Sequence, residues 1–400
     1  LAPALIEQED RFGAHNYRPL DVVIERGEGV YVWDVEGKRY VDFLAAYSAL
    51  NQGHCHPRIA AALVEQARRL ALTSRAFRND RLPPLLEKLC TLTGFDRALL
   101  MNSGAEAVET AIKASRKWGY ERKGIPYPEA EIVVFAGNFH GRTTTIVGFS
   151  SDRDSTRGFG PFSPGFRVVP YGDLEAAEAA ITERTCAVLA EPVQGEAGVV
   201  IPPKGFVAGL REICDRRRAL LILDEIQSGL GRTGKLFAFE HEGVRPDGVT
   251  IGKALSGGFY PVSAFLARRE VMEVFTPGTH GSTFGGNPLA CAVASAALDV
   301  LVEERLVERA AELGRHLAHR LGGLSSPLVK QVRCLGLWAG IELHESAGGA
   351  RRYCHALKER GLLCKDTHDH TIRLAPPLVI TREQLDWAVD QIEAALAAAI

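Results

Sequence analysis

No apolar run in the sequence approaches the ~18 residues that a membrane-spanning helix needs, and neither sign of charge dominates. Lys and Arg number 47 against 49 Asp and Glu, a formal net charge of −2. A chain this balanced has no global electrostatic pull toward nucleic acid or an anionic membrane. The eight cysteines, Cys55 to Cys364, form no C-x-x-C pair; reduced thiols fit that scatter better than a disulfide framework. Internal repeats are missing, and the only biased stretch is an Ala-rich end. Leu1 to Arg11 show neither the apolar core of a signal peptide nor an Arg- and Ser-rich transit pattern. Together these absences predict a cytoplasmic protein with no membrane and no nucleic-acid partner.

What is present is ordinary for a globular chain. Hydrophobic residues make up 46% and charged residues 24%, which excludes general disorder. Four hundred residues are more than one compact core usually organises. Residues 1–47 read as an irregular arm with a hairpin, Val30–Asp34 and Arg39–Phe43 flanking a turn at Glu36-Gly37. From Pro57, helix-spaced Ile59, Leu63, Ala67 and Leu70 begin a different pattern. Seven short β-like runs then alternate with helical stretches: Ala98–Met101, Ile132–Ala136, Arg167–Val169, Ala187–Ala190, Leu220–Leu223, Val249–Ile251 and Val262–Leu266. Most are continuously apolar, as strands buried on both faces of a largely parallel sheet should be. A large α/β domain is expected over 48–304 and a smaller α+β domain over 305–400. Thr381 and Gln384 form a capping box for the closing helix, with its stripe at Leu385, Val389, Ile392 and Leu396.

In open parallel sheets, ligands bind beyond the carboxyl ends of the strands. Five of these runs lead into chemically rich segments: Asn102–Glu106, Asn138–Arg142, Glu191–Glu196, Asp224–Gln227 and Gly252-Lys253. Five such endings along one sheet edge imply a polar pocket. Ser103 and Glu106 form an S-x-x-E box, which would leave the first-turn amides of Gly104 and Ala105 as a phosphate seat. A capped helix without a ligand explains that motif equally well on its own. Lys253 in an apolar setting would have a lowered pKa and serve as a nucleophile, with Asp224 nearby to hold a cationic partner. A structural Asp–Lys salt bridge would have the same spacing.

Other patterns carry less. Gly229–Gly234 matches G-x-G-x-x-G, but Asp224 to Ser228 intervene after the strand, and no acid follows at the ~20-residue distance. Gly248–Lys253 imitates a phosphate loop with one residue too few and no hydroxyl after the lysine. His54-Cys55-His56 and His368-Asp369-His370 lack further ligands at zinc spacing, so no metal is expected. His140, beside Phe139, has no partner within its own motif.

Taken together, the strand-end lysine, the upstream aspartate, the phosphate seat and an aromatic platform specify pyridoxal phosphate. The chain resembles the class III aminotransferases, and among them the ornithine-using branch. The likeness runs through Gly13–Tyr17, Asn51–Pro57, Gly137–Arg142, Glu191–Glu196, Asp224–Gly229, Gly252–Gly258, Gly281–Pro288 and Ile372–Pro377. It implies the pyridoxal-phosphate-dependent transferase fold of type I, with a large seven-stranded, mostly parallel sheet and a smaller C-terminal domain. It implies that Lys253 holds the cofactor as a Schiff base and shuttles protons, and that Asp224 keeps the pyridine nitrogen protonated. By the same resemblance Phe139 stacks on the ring, Gln227 meets its phenolic oxygen, and Gly104 and Ala105 bind the phosphate. Ser282 and Thr283 from a second subunit would complete that seat, making a homodimer or a multiple of one. Arg142 would grip the substrate's distal carboxylate, Tyr17 ornithine's α-amino group, and Tyr47 would line the channel. Glu196 and Arg373 resemble a switchable ion pair. The expected reaction is ping-pong transfer of ornithine's δ-amino group to 2-oxoglutarate. Acetylornithine and 4-aminobutyrate transamination remain alternatives within the class. An NAD-dependent dehydrogenase and a non-catalytic scaffold remain outside it.

Overall fold

The computed structural model describes residues 1–398. Ala2–Phe12 form a helix with proline in its first turn, where the sequence suggested only an irregular arm. The helix buries none of its residues fully; Ala2, Leu5 and Ile6, at helical spacing, are half-buried. Strands β1 (Ile24–Glu28), β2 (Tyr31–Asp34) and β3 (Arg39–Asp42) follow, paired antiparallel. The turn between β2 and β3 is fixed by Asp34, whose Oδ1 accepts from the amides of Glu36 and Lys38 at 3.0 and 2.9 Å. Gly37 takes the left-handed position, φ +84°, where glycine carries no Cβ penalty.

The central sheet contains β4 (Arg97–Met101), β5 (Glu131–Phe135), β6 (Phe166–Val169), β7 (Thr185–Ala190), β8 (Leu220–Asp224), β9 (Gly248–Ile251) and β10 (Ser263–Ala267). Their spatial order is β4-β10-β9-β8-β7-β5-β6. Only β10 runs antiparallel, against β4 on one side and β9 on the other. Every residue of β7, β8, β9 and β10 is buried, which is why these strands read as unbroken apolar runs. Because the six other strands run in one direction, their carboxyl ends share one edge, and that edge carries the site.

The smaller domain holds β11 (Val329–Cys334) and β12 (Ala339–Leu343), which pair antiparallel. Next come β13 (Leu362–Leu363), β14 (Lys365–Thr367) and β15 (Thr371–Leu374). The sheet order is β11-β12-β15-β14, while β13 pairs parallel with β3 and joins the N-terminal strands instead. The last helix, Arg382–Ala397, has both halves of the Thr381–Gln384 capping box and buries Leu385, Val389, Ile392 and Leu396. Among the described residues no helix is long and apolar enough to cross a membrane.

Candidate active site

A cavity of about 190 Å³ opens at the carboxyl edge of the central sheet, lined by Gly104, Ala105, Phe139, Glu191, Asp224, Gln227 and Lys253 among others. Five strand endings converge there, as their sequences implied. Lys253 sits one residue beyond Gly252 with φ +44°, a strained left-handed conformation for a residue with a side chain. Burial pushes its ammonium below the ordinary lysine range, against the opposing pull of Glu196 and Asp224. A neutral, nucleophilic amine is therefore easier to reach here than on a surface lysine.

Asp224, 5% exposed, is held from three sides. Its Oδ1 accepts from the Ile226 amide at 3.0 Å and from Thr250 Oγ1, on the neighbouring β9, at 3.1 Å. Its Oδ2 accepts from Nδ1 of the equally buried His140 at 2.7 Å. Burial drives the His140 imidazole toward neutrality, but its bond to Asp224 and the charges of Asp224 and Glu191 outweigh this and raise its pKa. The motif around His140 gives it no partner in sequence. Its partner lies 84 residues away, so no local motif could have shown it.

In the sequence Glu191 is one strand ending among several. Its Oε1 accepts from the Phe139 amide at 2.9 Å and its Oε2 from the Gly195 amide at 3.4 Å. Burial pushes this carboxyl up to about 7. It thus ties the aromatic platform to the loop that carries Glu196.

At the third corner, the Ser103 capping box is present: Ser103 Oγ accepts from the Glu106 amide at 3.3 Å, and Glu106 Oε2 accepts from the Ser103 amide at 2.8 Å. It starts the fifteen-residue helix Gly104–Trp118, whose dipole favours an anion at this end. Space here is tight. A Cβ on Gly141 would stand 2.8 Å from that of Ala105, and one on Gly104 would stand 3.1 Å from Ile226.

Outside this floor stands a wall. Arg373 on β15 is 1% exposed and directs Nη1 to Glu196 Oε1 at 2.8 Å and to the Gly195 carbonyl at 3.3 Å. Its guanidinium lies 4.9 Å from the Tyr47 ring centroid. Tyr47 belongs to a left-handed turn in which Ala45, Ala46, Tyr47 and Ser48 all have φ between +47° and +70°. Such a run costs roughly 1–2 kcal/mol per residue and persists only where its surroundings over-determine it.

Not every expected residue meets Lys253. Tyr17 is 74% exposed and lines a separate, larger cavity of about 480 Å³ with Tyr47, Arg351, Lys365 and Asp366. Arg142 is exposed, donates to Ser155 Oγ at 2.7 Å, and lies 5.4 Å from the Phe139 ring centroid. Ser282 accepts from Asn102 Nδ2 at 2.9 Å, lines a third cavity, and like the exposed Thr283 is absent from the lining of the Lys253 cavity.

The competing motifs resolve into structure. In the Gly229–Gly234 loop, fully buried Arg232 donates to the carbonyls of Leu337 and Pro376 at 2.8 and 2.6 Å and to Asn51 Oδ1 at 2.5 Å. The loop is packed against its own chain and offers no open cradle for a dinucleotide. His54 pairs with Asp42 at 2.8 Å and His56 with Glu304 at 3.0 Å. Among the described residues no group of three or more His, Cys, Asp or Glu could hold a metal ion.

Comparison with known proteins gives a consistent picture. The family model for aminotransferase class III matches residues 12–396. The ornithine aminotransferase of Bordetella pertussis is 60% identical over 389 residues, 97% of this chain and 94% of its own. The ornithine aminotransferase of Toxoplasma gondii, solved with PLP at partial occupancy in its active site, superposes with a TM-score of 0.98. It is 44% identical, over 100% of this chain and 95% of that one. An acetylornithine aminotransferase from Elizabethkingia anophelis superposes with a TM-score of 0.91 at 50% identity, over 99% of each chain.

Proposed function

The chain belongs to the class III aminotransferases, and we propose that the floor at Lys253 and the wall at Arg373 divide the work of ornithine transamination between them. The enzyme is a pyridoxal-phosphate-dependent transferase of fold type I. It moves the δ-amino group of L-ornithine to 2-oxoglutarate, yielding L-glutamate 5-semialdehyde and L-glutamate.

The residues present fit the cofactor. Gln227 Nε2 and His140 Nε2 are buried without a hydrogen-bond partner among the described residues, so the pocket holds polar capacity that the protein alone does not use. When bound, pyridoxal 5'-phosphate supplies an electron sink for the carbon that loses its proton. Lys253 would hold it through Nζ, Asp224 would face its ring nitrogen, and Phe139 would cover its ring. Gln227 would meet its phenolic oxygen, while Gly104 and Ala105 would receive its phosphate. Ser282 and Thr283 would serve the corresponding seat of a second copy, which makes a homodimer or a multiple of dimers the working assembly. Their placement away from the Lys253 cavity of their own chain supports that reading.

Lys253 takes and returns the proton, helped by the burial that lowers its pKa. Asp224 keeps its charge directed at one point because Ile226, Thr250 and His140 fix both oxygens. Arg142 would hold a substrate's distal carboxylate, Tyr17 would meet ornithine's α-amino group, and Tyr47 would line the path inward. We divide the chain into an arm over 1–47, a cofactor-binding domain over 48–304 and a small domain over 305–400. We place the enzyme in the cytoplasm, a setting supported by eight unpaired cysteines.

The observation that carries the reading of a terminal-amine donor is the Glu196–Arg373 pair, and the 60% identity to an ornithine aminotransferase supports ornithine as that donor. Ornithine presents a δ-amine with no carboxylate beside it, so a free guanidinium there would draw the wrong end. Glutamate presents an amine with a carboxylate beside it and needs that guanidinium. Pairing satisfies the first demand, and Arg373 Nη2, buried with no partner among the described residues, is ready for the second. Assaying ornithine, N-acetylornithine and 4-aminobutyrate side by side with 2-oxoglutarate tests the reading. Ornithine should give the highest kcat/KM; a clear preference for N-acetylornithine would overturn the assignment.

A further inference from the structure

A switchable pair raises a question that the pair itself does not answer: where the displaced carboxylate goes. Arg373 is poorly placed to move. It is 1% exposed, lies on an inner strand between β12 and β14, and is also tied to the Gly195 carbonyl. The Glu196 side chain, 29% exposed, is the less confined member. Leaving it unpaired in a half-buried site would be costly.

The neighbouring strand carries the solution. Lys365 on β14 is the direct register partner of Arg373 on β15, so the two side chains leave the same face of the sheet as neighbours. Like charges placed directly opposite are destabilising. Two groups contact both cations or act on them. Tyr47 accepts from Lys365 Nζ at 3.0 Å, while its ring lies 4.9 Å from the Arg373 guanidinium. Glu196 bonds Arg373, and its loop is tethered to β14 by Thr367 Oγ1, which donates to the Glu196 carbonyl at 2.5 Å. Burial would raise the Glu196 carboxyl, but the charges of Arg373, Lys253 and Lys365 together hold it below its usual range.

We propose that Lys365 is the second docking point of Glu196: when a substrate carboxylate takes Arg373, the Glu196 carboxylate crosses to the Lys365 ammonium. The two cations then share one mobile anion, and the substrate brings the second. This rests on the aminotransferase reading above and adds a specificity-determining residue to it. Lys365 is a positioning residue in this scheme, since it acts on the substrate only through Glu196.

The test is a double-mutant cycle read on the two half-reactions separately, by single-turnover absorbance of the holoenzyme with glutamate or with ornithine. Lys365→Met should weaken apparent binding of glutamate about tenfold more than that of ornithine, the size of one charge-assisted hydrogen bond. Lys365→Arg should recover most of that loss. In a Glu196→Ala background, Lys365→Met should no longer discriminate between the substrates, because no carboxylate remains to be received. The same selective loss in that background would overturn the proposal and make Lys365 a direct grip on the substrate. Equal losses in both half-reactions would reduce it to a prop for Tyr47. If the unaltered enzyme reacts with glutamate but not with ornithine, the ornithine assignment fails alone. The effect of Lys365→Met on glutamate with and without Glu196 would still decide the role of Lys365.

Discussion

The floor around Lys253 takes its side chains from neighbouring strand ends of one buried sheet, whereas the wall around Arg373 is assembled from four segments spread over three hundred residues. On the floor each charge is fixed by several bonds, as Asp224 is by Ile226, Thr250 and His140. On the wall a single side chain, Glu196, answers to more than one cation, and Tyr47 is held by a strained left-handed turn. Fixed charges suit a chemistry common to both substrates. A movable charge suits the choice between them. Damage to the floor should therefore strike both half-reactions, and damage to the wall should strike one.

The sharpest break is Lys253→Ala. It should leave a folded protein with turnover reduced by more than about 10⁴-fold, beyond what a positioned acid–base group alone contributes, for ornithine and glutamate alike. Steady-state rates beside a circular dichroism spectrum would check it, and substantial residual turnover would remove Lys253 from the chemistry. Asp224→Ala should cost roughly 10²–10³ in kcat, the scale seen when one fixed electrostatic partner is deleted from an active site, again in both half-reactions. Normal activity in that variant would mean that the floor is structural.

His140→Asn removes only a support of that charge. A loss of about 1.5–3 kcal/mol is expected, appearing in kcat with little change in KM for either substrate. An unchanged kcat would make the 2.7 Å contact with Asp224 mere packing. Tyr17→Phe should be the smallest effect. Its hydroxyl lies on an exposed ring, so the loss should sit near the lower end, about 1.5 kcal/mol, and fall on ornithine alone. Equal losses for ornithine and glutamate would place Tyr17 with the structural residues.

The same contrast decides what the sequence could show. Lys253, Asp224, Glu191 and the Ser103 capping box each stand just beyond a short β-like run, so strand-end reasoning places them on one edge before any coordinates exist. The β2–β3 turn and the closing helix were legible for the same reason: Gly37, Thr381 and Gln384 act within a few residues of themselves. The partnership of His140 with Asp224 was not legible, because the two meet only through the order of the strands. Lys365 was invisible too. Its meaning comes from a register across β14 and β15, in strands too short to show periodicity. The helix Ala2–Phe12 was missed because it buries no residue fully and its N-cap, Leu1, makes no capping bond, so no capping motif marks its start. The assignments of Tyr17, Tyr47 and Arg373 came from family likeness, and no local rule would have supplied them.

The division between a fixed floor and a movable wall is tested most directly by product analysis of Glu196→Ala with ornithine, together with its two half-reaction rates. Arg373 would then be free throughout. The glutamate half-reaction should gain relative to the ornithine half-reaction, and part of the ornithine should react through its α-amine instead of its δ-amine. Unchanged δ-selectivity together with an unchanged ratio of the two rates would contradict the switch.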